Sequence, residues 1–315
     1  MTTISMLISA LMQGLIYAPM ALGVFIAFRI LDTPDLTIDG SLVFGMTVCA
    51  VVTIAGHPIL GLLAGILAGA LAGLVTGLLQ TKLKINPILA GILTMTGLYT
   101  INFAVLGGQS NRYLQSGTET SDTIYKMFSA GVGGNRDANL TALVLTALIV
   151  AMVTAILAVF FKTRPGMAIR ATGDNEEMVR SSSINADLTR VQGVILSNAL
   201  VALSGALLCQ QQKYADLNCG SGMLVVGLAS VIIGEVLFGR RNITLGLLSA
   251  IAGSLLYRVI LQASYKVDMP SYMVKLLSAV IVAAALAVPV IRRKLAESRS
   301  RRVRREQGPE TERQS

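Results

Sequence analysis

Apolar runs of about 20 residues succeed one another along almost the whole chain, and that pattern limits the fold more than any motif does. A helix needs about 20 predominantly apolar residues to cross a ~30 Å hydrocarbon core, and within that core every backbone N–H and C=O must find its partner inside the protein. Read in those units, the sequence predicts an all-α polytopic membrane protein with about nine transmembrane helices. They cover residues 5–29, 36–56, 58–80, 87–107, 139–161, 187–211, 223–238, 244–262 and 271–291. Composition agrees, because 53% of the 315 residues are hydrophobic and only 14% are charged, outside the range of soluble domains. Residues 1–291 are thus expected to form one transmembrane domain, and 292–315 a basic, disordered tail.

Lys and Arg collect on the cytoplasmic side of membrane proteins, which gives the expected orientation. With the N-terminus outside and the C-terminus inside, the inner ends carry Arg29, Lys82, Lys84, Lys162, Arg164, Arg170, Arg180, Arg190, Arg240, Arg241 and the tail from Arg292. The outer side keeps Arg112, Lys126, Arg136, Lys213 and Lys266. The first 28 residues hold no Lys or Arg, so a cleaved secretory leader with a basic start is not expected. Eight Lys and Arg between Arg292 and Arg305 suit a cytoplasmic anchor touching anionic membrane lipids. No aromatic or fold signature accompanies them, so nucleic acid is not an expected partner. The scattered Cys49, Cys209 and Cys219 and the lone His57 suggest no metal site, disulfide framework or bound cofactor.

In the third span Gly61, Gly65, Gly69, Gly73 and Gly77 recur every four residues. Four residues turn a helix by about 400°, so the glycines form a slowly spiralling groove that another backbone can approach closely. The expected role is helix packing.

One charged insert, residues 162–186, interrupts the apolar pattern between the fifth and sixth spans. Arg164-Pro165-Gly166 is expected to end the fifth span, since proline cannot continue the hydrogen-bond ladder. Asp174 then reads as an N-cap, with Glu176 and Glu177 in the electropositive first turn and Arg180 four residues after Glu176. Met178 and Val179 read as an exposed apolar knob. This short amphipathic helix is either a solvated connector or a docking peg for a soluble partner. On the outer side, loop 108–138 offers Tyr125-Lys126-Met127-Phe128 as a docking turn.

Polar residues inside spans mark either interhelical bonds or a solute path. The translocation-path candidates are Asn102, Asn198, Glu235, Arg258 and Gln262. Glu235 is expected to meet Arg240 or Arg241, and Arg258 to snorkel outward or find another partner. Asp35 and Asp39, where the first two spans approach the cytoplasm, read as helix caps or as a gate.

Three segments resemble the membrane subunits of bacterial binding-protein-dependent ABC importers, in the branched-chain-amino-acid and ribose-type permease family. The stretch from Arg164 to Glu177, closed by Ser183-Ile184-Asn185, is similar to that family's cytoplasmic loop leading into its coupling helix. Pro34-Asp35-Leu36-Thr37-Ile38-Asp39-Gly40-Ser41 is similar to the opening of its second span, and Ile232-Ile233-Gly234-Glu235 with Phe238-Gly239 and Gly246 to its paired glycines near the carboxyl end. Glu235 in place of the second paired glycine, Pro165 in the loop and the added charge of Asp39 depart from the pattern.

The resemblance implies a non-catalytic permease subunit of the bacterial plasma (inner) membrane. It would pair with a second permease chain as a homodimer, be driven by separate ABC ATPase subunits that carry ATP and Mg, and receive solute from an extracytoplasmic substrate-binding protein. The implied solute is small and polar, an amino acid or related compound. Asp174, Glu176, Glu177, Met178, Val179 and Arg180 would couple to the ATPase. No Gly-x-x-x-x-Gly-Lys-Ser/Thr phosphate loop occurs in the chain, in keeping with that division of labour. The competing reading is a self-contained secondary transporter or channel.

Overall fold

A computed structural model describes residues 3–116, 119–120, 122–131, 138–182, 184–239 and 242–264, with scattered positions between 276 and 287. Eight segments among the described residues are helical, long and apolar enough to cross a membrane. The ninth expected span, 271–291, falls largely outside the described residues, as do the tail, Ser183, Arg240 and Arg241.

The elements run α1 (Thr3–Phe25), α2 (Thr37–Ile54), α3 (Pro58–Thr81), α4 (Pro87–Val105), α5 (Ile124–Gly131), α6 (Ala138–Phe160), α7 (Arg164–Asp174), α8 (Glu176–Ser181), α9 (Ala186–Gln212), α10 (Met223–Phe238) and α11 (Ile243–Ser264). Their starts follow local chemistry. Proline occupies the first turn of α3, α4 and α7, where no intrahelical N–H is lost. Asn86 and Asn185 cap α4 and α9 by accepting from Ile88 N at 3.0 Å and Leu188 N at 3.1 Å.

α9 is the centre of the body. It is the longest helix at 27 residues, about 40 Å, and α1, α2 and α3 pack around it. All five glycines of the α3 stripe are buried. Four of them, from Gly65 to Gly77, lie against α9 at Ala206, Ala202, Val194 and Val191 in turn. Gly61 meets α2 at Cys49 and Thr53. Close backbone approach replaces the hydrophobic driving force that lipid cannot supply between helices. Buried hydroxyls then bond the helices together. Ser197 and Ser204 of α9 donate to the Gly23 and Ile16 carbonyls of α1 at 2.8 Å each, and Ser254 of α11 to Gly14 at 2.9 Å.

A second group joins α10 and α11 to α1, with Gly234 and Gly253 at the α10–α11 crossing. α4 and α6 lie outermost, with 28% and 22% of their spans buried, against 72% for α9. At the end away from the basic connectors, strand Asn111–Tyr113 pairs antiparallel with Tyr214–Asp216.

Two breaks depart from straight spans. α1 ends in a π-helical turn, Ile26–Ile30, followed by irregular backbone to Leu36, with Asp32 left-handed at φ 50°. α10 is only 16 residues, about 24 Å, preceded by a 3-10 turn, Leu217–Gly220, packed on α2 at Asp39 and Val43. Non-helical backbone at membrane depth is tolerated where protein buries it or where it lines an aqueous cavity.

Candidate functional site

At the basic end the charged insert forms two helices rather than one. Pro165 does not simply stop the fifth span. That span finishes at Phe160, and the proline sits in the first turn of α7, which its fixed φ favours. α7 then runs through to Asp174, so Asp174 is its last residue and not a cap. Asn175 takes the capping role, its Oδ1 accepting from Met178 N at 3.0 Å.

α8 is pinned by charge on one side and by packing on the other. Arg180 bonds Glu176 at 2.7 Å and Asp187 at 2.6 Å, and Arg190 bonds the other Glu176 oxygen at 2.6 Å. The bonds to Glu176 first, then Asp187, hold the Arg180 guanidinium above its ordinary pKa. Met178 is 61% exposed, whereas Val179 is 2% exposed. The expected two-residue knob is therefore Met178 alone, and Val179 anchors the helix from below.

α7 seats directly on the end of α1. Gly173 packs against the Ile30 carbonyl so closely that any side chain at position 173 would overlap it. The neighbouring Arg29 forms an ion pair with Glu235 of α10; the expected partners Arg240 and Arg241 lie outside the described residues. The π turn brings Arg29 to Glu235, whose Oε1 has no hydrogen-bond partner among the described residues. Arg29, Lys162, Arg170, Asp174 and Glu235 all line one cavity of about 540 Å³ at this end.

A second cavity, about 340 Å³, lies between α2, α4 and the turn before α10, lined by Asp39, Tyr99, Asn102, Leu217 and their neighbours. Asp39 does not merely cap its own helix. Its carboxylate accepts from Gly222 N at 3.0 Å and Leu224 N at 2.7 Å, capping α10 from across the cavity. Asp35 is fully buried, accepting from Thr37 N at 2.9 Å and Asn198 Nδ2 at 2.7 Å. Asn198 sits about 18 Å along α9 from its start, so this pair lies within the body of the protein.

The five polar candidates do not form one site. Asn198 is fully buried and bonded to Asp35 and to Ser41, 2.6 Å away, so it ties α9 to α2 and to the segment just before it. Asn102 bonds Thr47 at 3.2 Å and borders the second cavity. Arg258 finds another partner, as one of its two expected fates; its guanidinium lies 3.6 Å from the Tyr17 ring centroid, a cation–π contact. Gln262 is half-buried one turn further along α11. Sequence reading missed Tyr99, 57% exposed on α4 and on the cavity wall. The signal was its place near Thr96 and Thr100, three polar-tipped residues on the outward side of a span.

The segment expected as an outer docking turn, Tyr125 to Phe128, lies in the helix α5. Tyr125 faces inward, bonding Thr146 at 3.2 Å, and burial pushes its phenol up to about 12. Met127 and Phe128 remain exposed, at 47% and 37%.

Residues 6–286 match the family described as branched-chain amino acid transport system / permease component. The chain is 36% identical over 282 residues to a tyrosine transport system permease protein of Clostridioides difficile strain R20291, covering 89% of this chain and 90% of that one. It is 32% identical over 234 residues to an uncharacterized protein of Rickettsia prowazekii, covering 74% and 78%. A shorter match, 34% over 96 residues, joins it to a nucleoside ABC transporter permease protein of Lactococcus lactis, over 29% of this chain and 28% of that one. No solved structure matches the chain.

Proposed function

We propose that this chain, which belongs to the family of branched-chain amino acid transport system permease components, forms with a second copy of itself the membrane path of an ATP-driven importer of amino acids. It is a multi-pass inner-membrane protein. In this reading the basic end faces the cytoplasm, where an ATPase subunit grips α7 and α8, with Met178 as the apolar contact. An extracytoplasmic binding protein delivers solute at the other end, on the side of Met127 and Phe128. The C. difficile relative, named for tyrosine transport, supports an amino-acid cargo.

The observation that carries the proposal is the seating of Gly173 on the Ile30 carbonyl. It joins the insert rigidly to the first span, so force on α7 reaches the Arg29–Glu235 pair and then α10. The far end of α10 is the one held by Asp39 at the second cavity. One helix thereby connects the ATPase-facing insert to the proposed solute path, and rocking of the spans can open and close it.

Met178→Glu tests the docking step. It is expected to weaken co-purification with the ATPase at least about tenfold, or ~1.4 kcal/mol, while the permease stays folded. Unchanged association would remove α8 from the interface. Val179→Glu is expected to act differently, because a charge placed at a buried position destabilises the insert itself.

A further inference from the structure

The first turn of α2 and the residues before it carry two carboxylates four positions apart, and none of the ion pairs among the described residues includes either. Asp35 is closed off behind Asn198 and Thr37. Asp39 is different: it is half-buried and forms part of the wall of the 340 Å³ cavity. An ionised carboxylate offers about four acceptor positions, and Gly222 N and Leu224 N occupy one on each oxygen. Capacity for a donor arriving from the cavity therefore remains.

The rest of that wall supplies no positive charge. Among the described residues its lining contains no Lys, Arg or His, and its other polar groups are neutral amides and hydroxyls, such as Asn102, Thr96 and Ser221. The positive ends of α2 and α10 offset part of the Asp39 charge. A carboxylate at membrane depth still favours a cation that can lose its water with it. Met95 and Val43 add apolar surface and Tyr99 an aromatic face. A polar pole of one sign beside an apolar and aromatic wall fits a primary ammonium attached to an apolar or aromatic body.

We propose that Asp39 is a specificity-determining residue of the path, binding the ammonium group of a primary-amine solute from the position in which it caps α10. The inference rests on reading this cavity as part of the path, and it adds which end of the solute is recognised and by which residue. The added charge of Asp39, which the family resemblance does not predict, thereby acquires a role that capping alone does not require.

The test uses the purified full-length permease in nanodiscs, with no ATPase and no binding protein, and tritiated tyrosine as the probe, with empty nanodiscs as the blank. Unlabelled tyramine, which keeps the ammonium and lacks the carboxylate, is expected to compete. The desamino analogue of tyrosine, which keeps the carboxylate and lacks the ammonium, is expected to compete at least about tenfold more weakly. Asp39→Asn, which keeps the shape and one acceptor for the α10 cap, is expected to raise the Kd for tyrosine at least about tenfold. Equal competition by the two analogues, wild-type affinity in Asp39→Asn, or no saturable tyrosine binding by the wild type would each overturn the proposal. If Asp39→Asn does not run as a single folded species on gel filtration, the analogue competition on the wild-type protein decides alone. Because no ATPase takes part, failure here removes the Asp39 assignment and leaves ATP-driven transport to be judged by its own assay.

Discussion

Gly69→Leu is expected to abolish recovery of folded protein from the membrane. Gly69 lies where α3 crosses α9, and even a methyl group there would overlap the Ala202 side chain and meet the Asn198 carbonyl. Overpacking an ordinary core costs about 1–3 kcal/mol because side chains can shift. Here one obstacle is backbone, on the helix around which the body is built, so leucine is expected to exceed that range. The same crossing holds Asn198, whose bonds to Ser41 and Asp35 join α2 to α9. Separating α3 from α9 therefore disturbs a second interface. The measurement is the fraction of protein that is monodisperse after detergent extraction, with Gly97→Leu as the comparison, since among the described residues a side chain at Gly97 would meet open space rather than a neighbouring helix. Gly69→Ala combined with Ala202→Gly is expected to recover part of the loss, because it removes the side-chain half of the collision and leaves the Asn198 carbonyl in place. Equal yields from Gly69→Leu and Gly97→Leu would contradict this account of the stripe.

Arg29→Ala is expected to be more damaging than Glu235→Ala, and the double variant less damaging than Arg29→Ala alone. The reason is unequal burial: the Arg29 side chain is 39% exposed and that of Glu235 only 9%. Without Glu235, Arg29 can turn toward water. Without Arg29, Glu235 is left as a buried charge whose second oxygen has no partner among the described residues. Breaking a fully buried pair from one side costs about 3–5 kcal/mol. The exposure of Arg29 places this pair below that range, at about 2 kcal/mol for Arg29→Ala. Thermal unfolding in detergent across the four-member cycle measures the asymmetry. Because the pair links the end of α1, on which α7 sits, to α10, uptake is expected to fall more than stability does in Glu235→Ala. Equal losses in the two single variants would mean that the pair is solvated and carries no force.

Much of the architecture was legible because its signals are local and periodic. Span-length apolar runs located eight helices to within a few residues, and the four-residue glycine period identified the face of α3 that meets α9. The insert was legible as helical, but its detail was not. Asp174 and Asn175 are adjacent residues that can both cap a helix, and the choice turned on Pro165 starting α7 instead of ending a span. A six-residue helix is also too short for its pattern to say which of Met178 and Val179 faces in. The cavities were not legible because their key bonds join residues far apart in the chain. Asp39 to Leu224 spans 185 positions and Arg29 to Glu235 spans 206. For Glu235, no local pattern marks Arg29, which the π turn brings to it from far along the chain.

In the proposed mechanism the insert between the fifth and sixth spans receives work from a separate nucleotide-hydrolysing subunit. Its most direct test is uptake of labelled tyrosine into proteoliposomes that hold the permease with or without its ATPase, with the binding protein outside and ATP inside. Accumulation is expected only when ATPase and ATP are both present, and is expected to be lost in Met178→Glu. Accumulation by the permease alone, driven by an ion gradient, would contradict it.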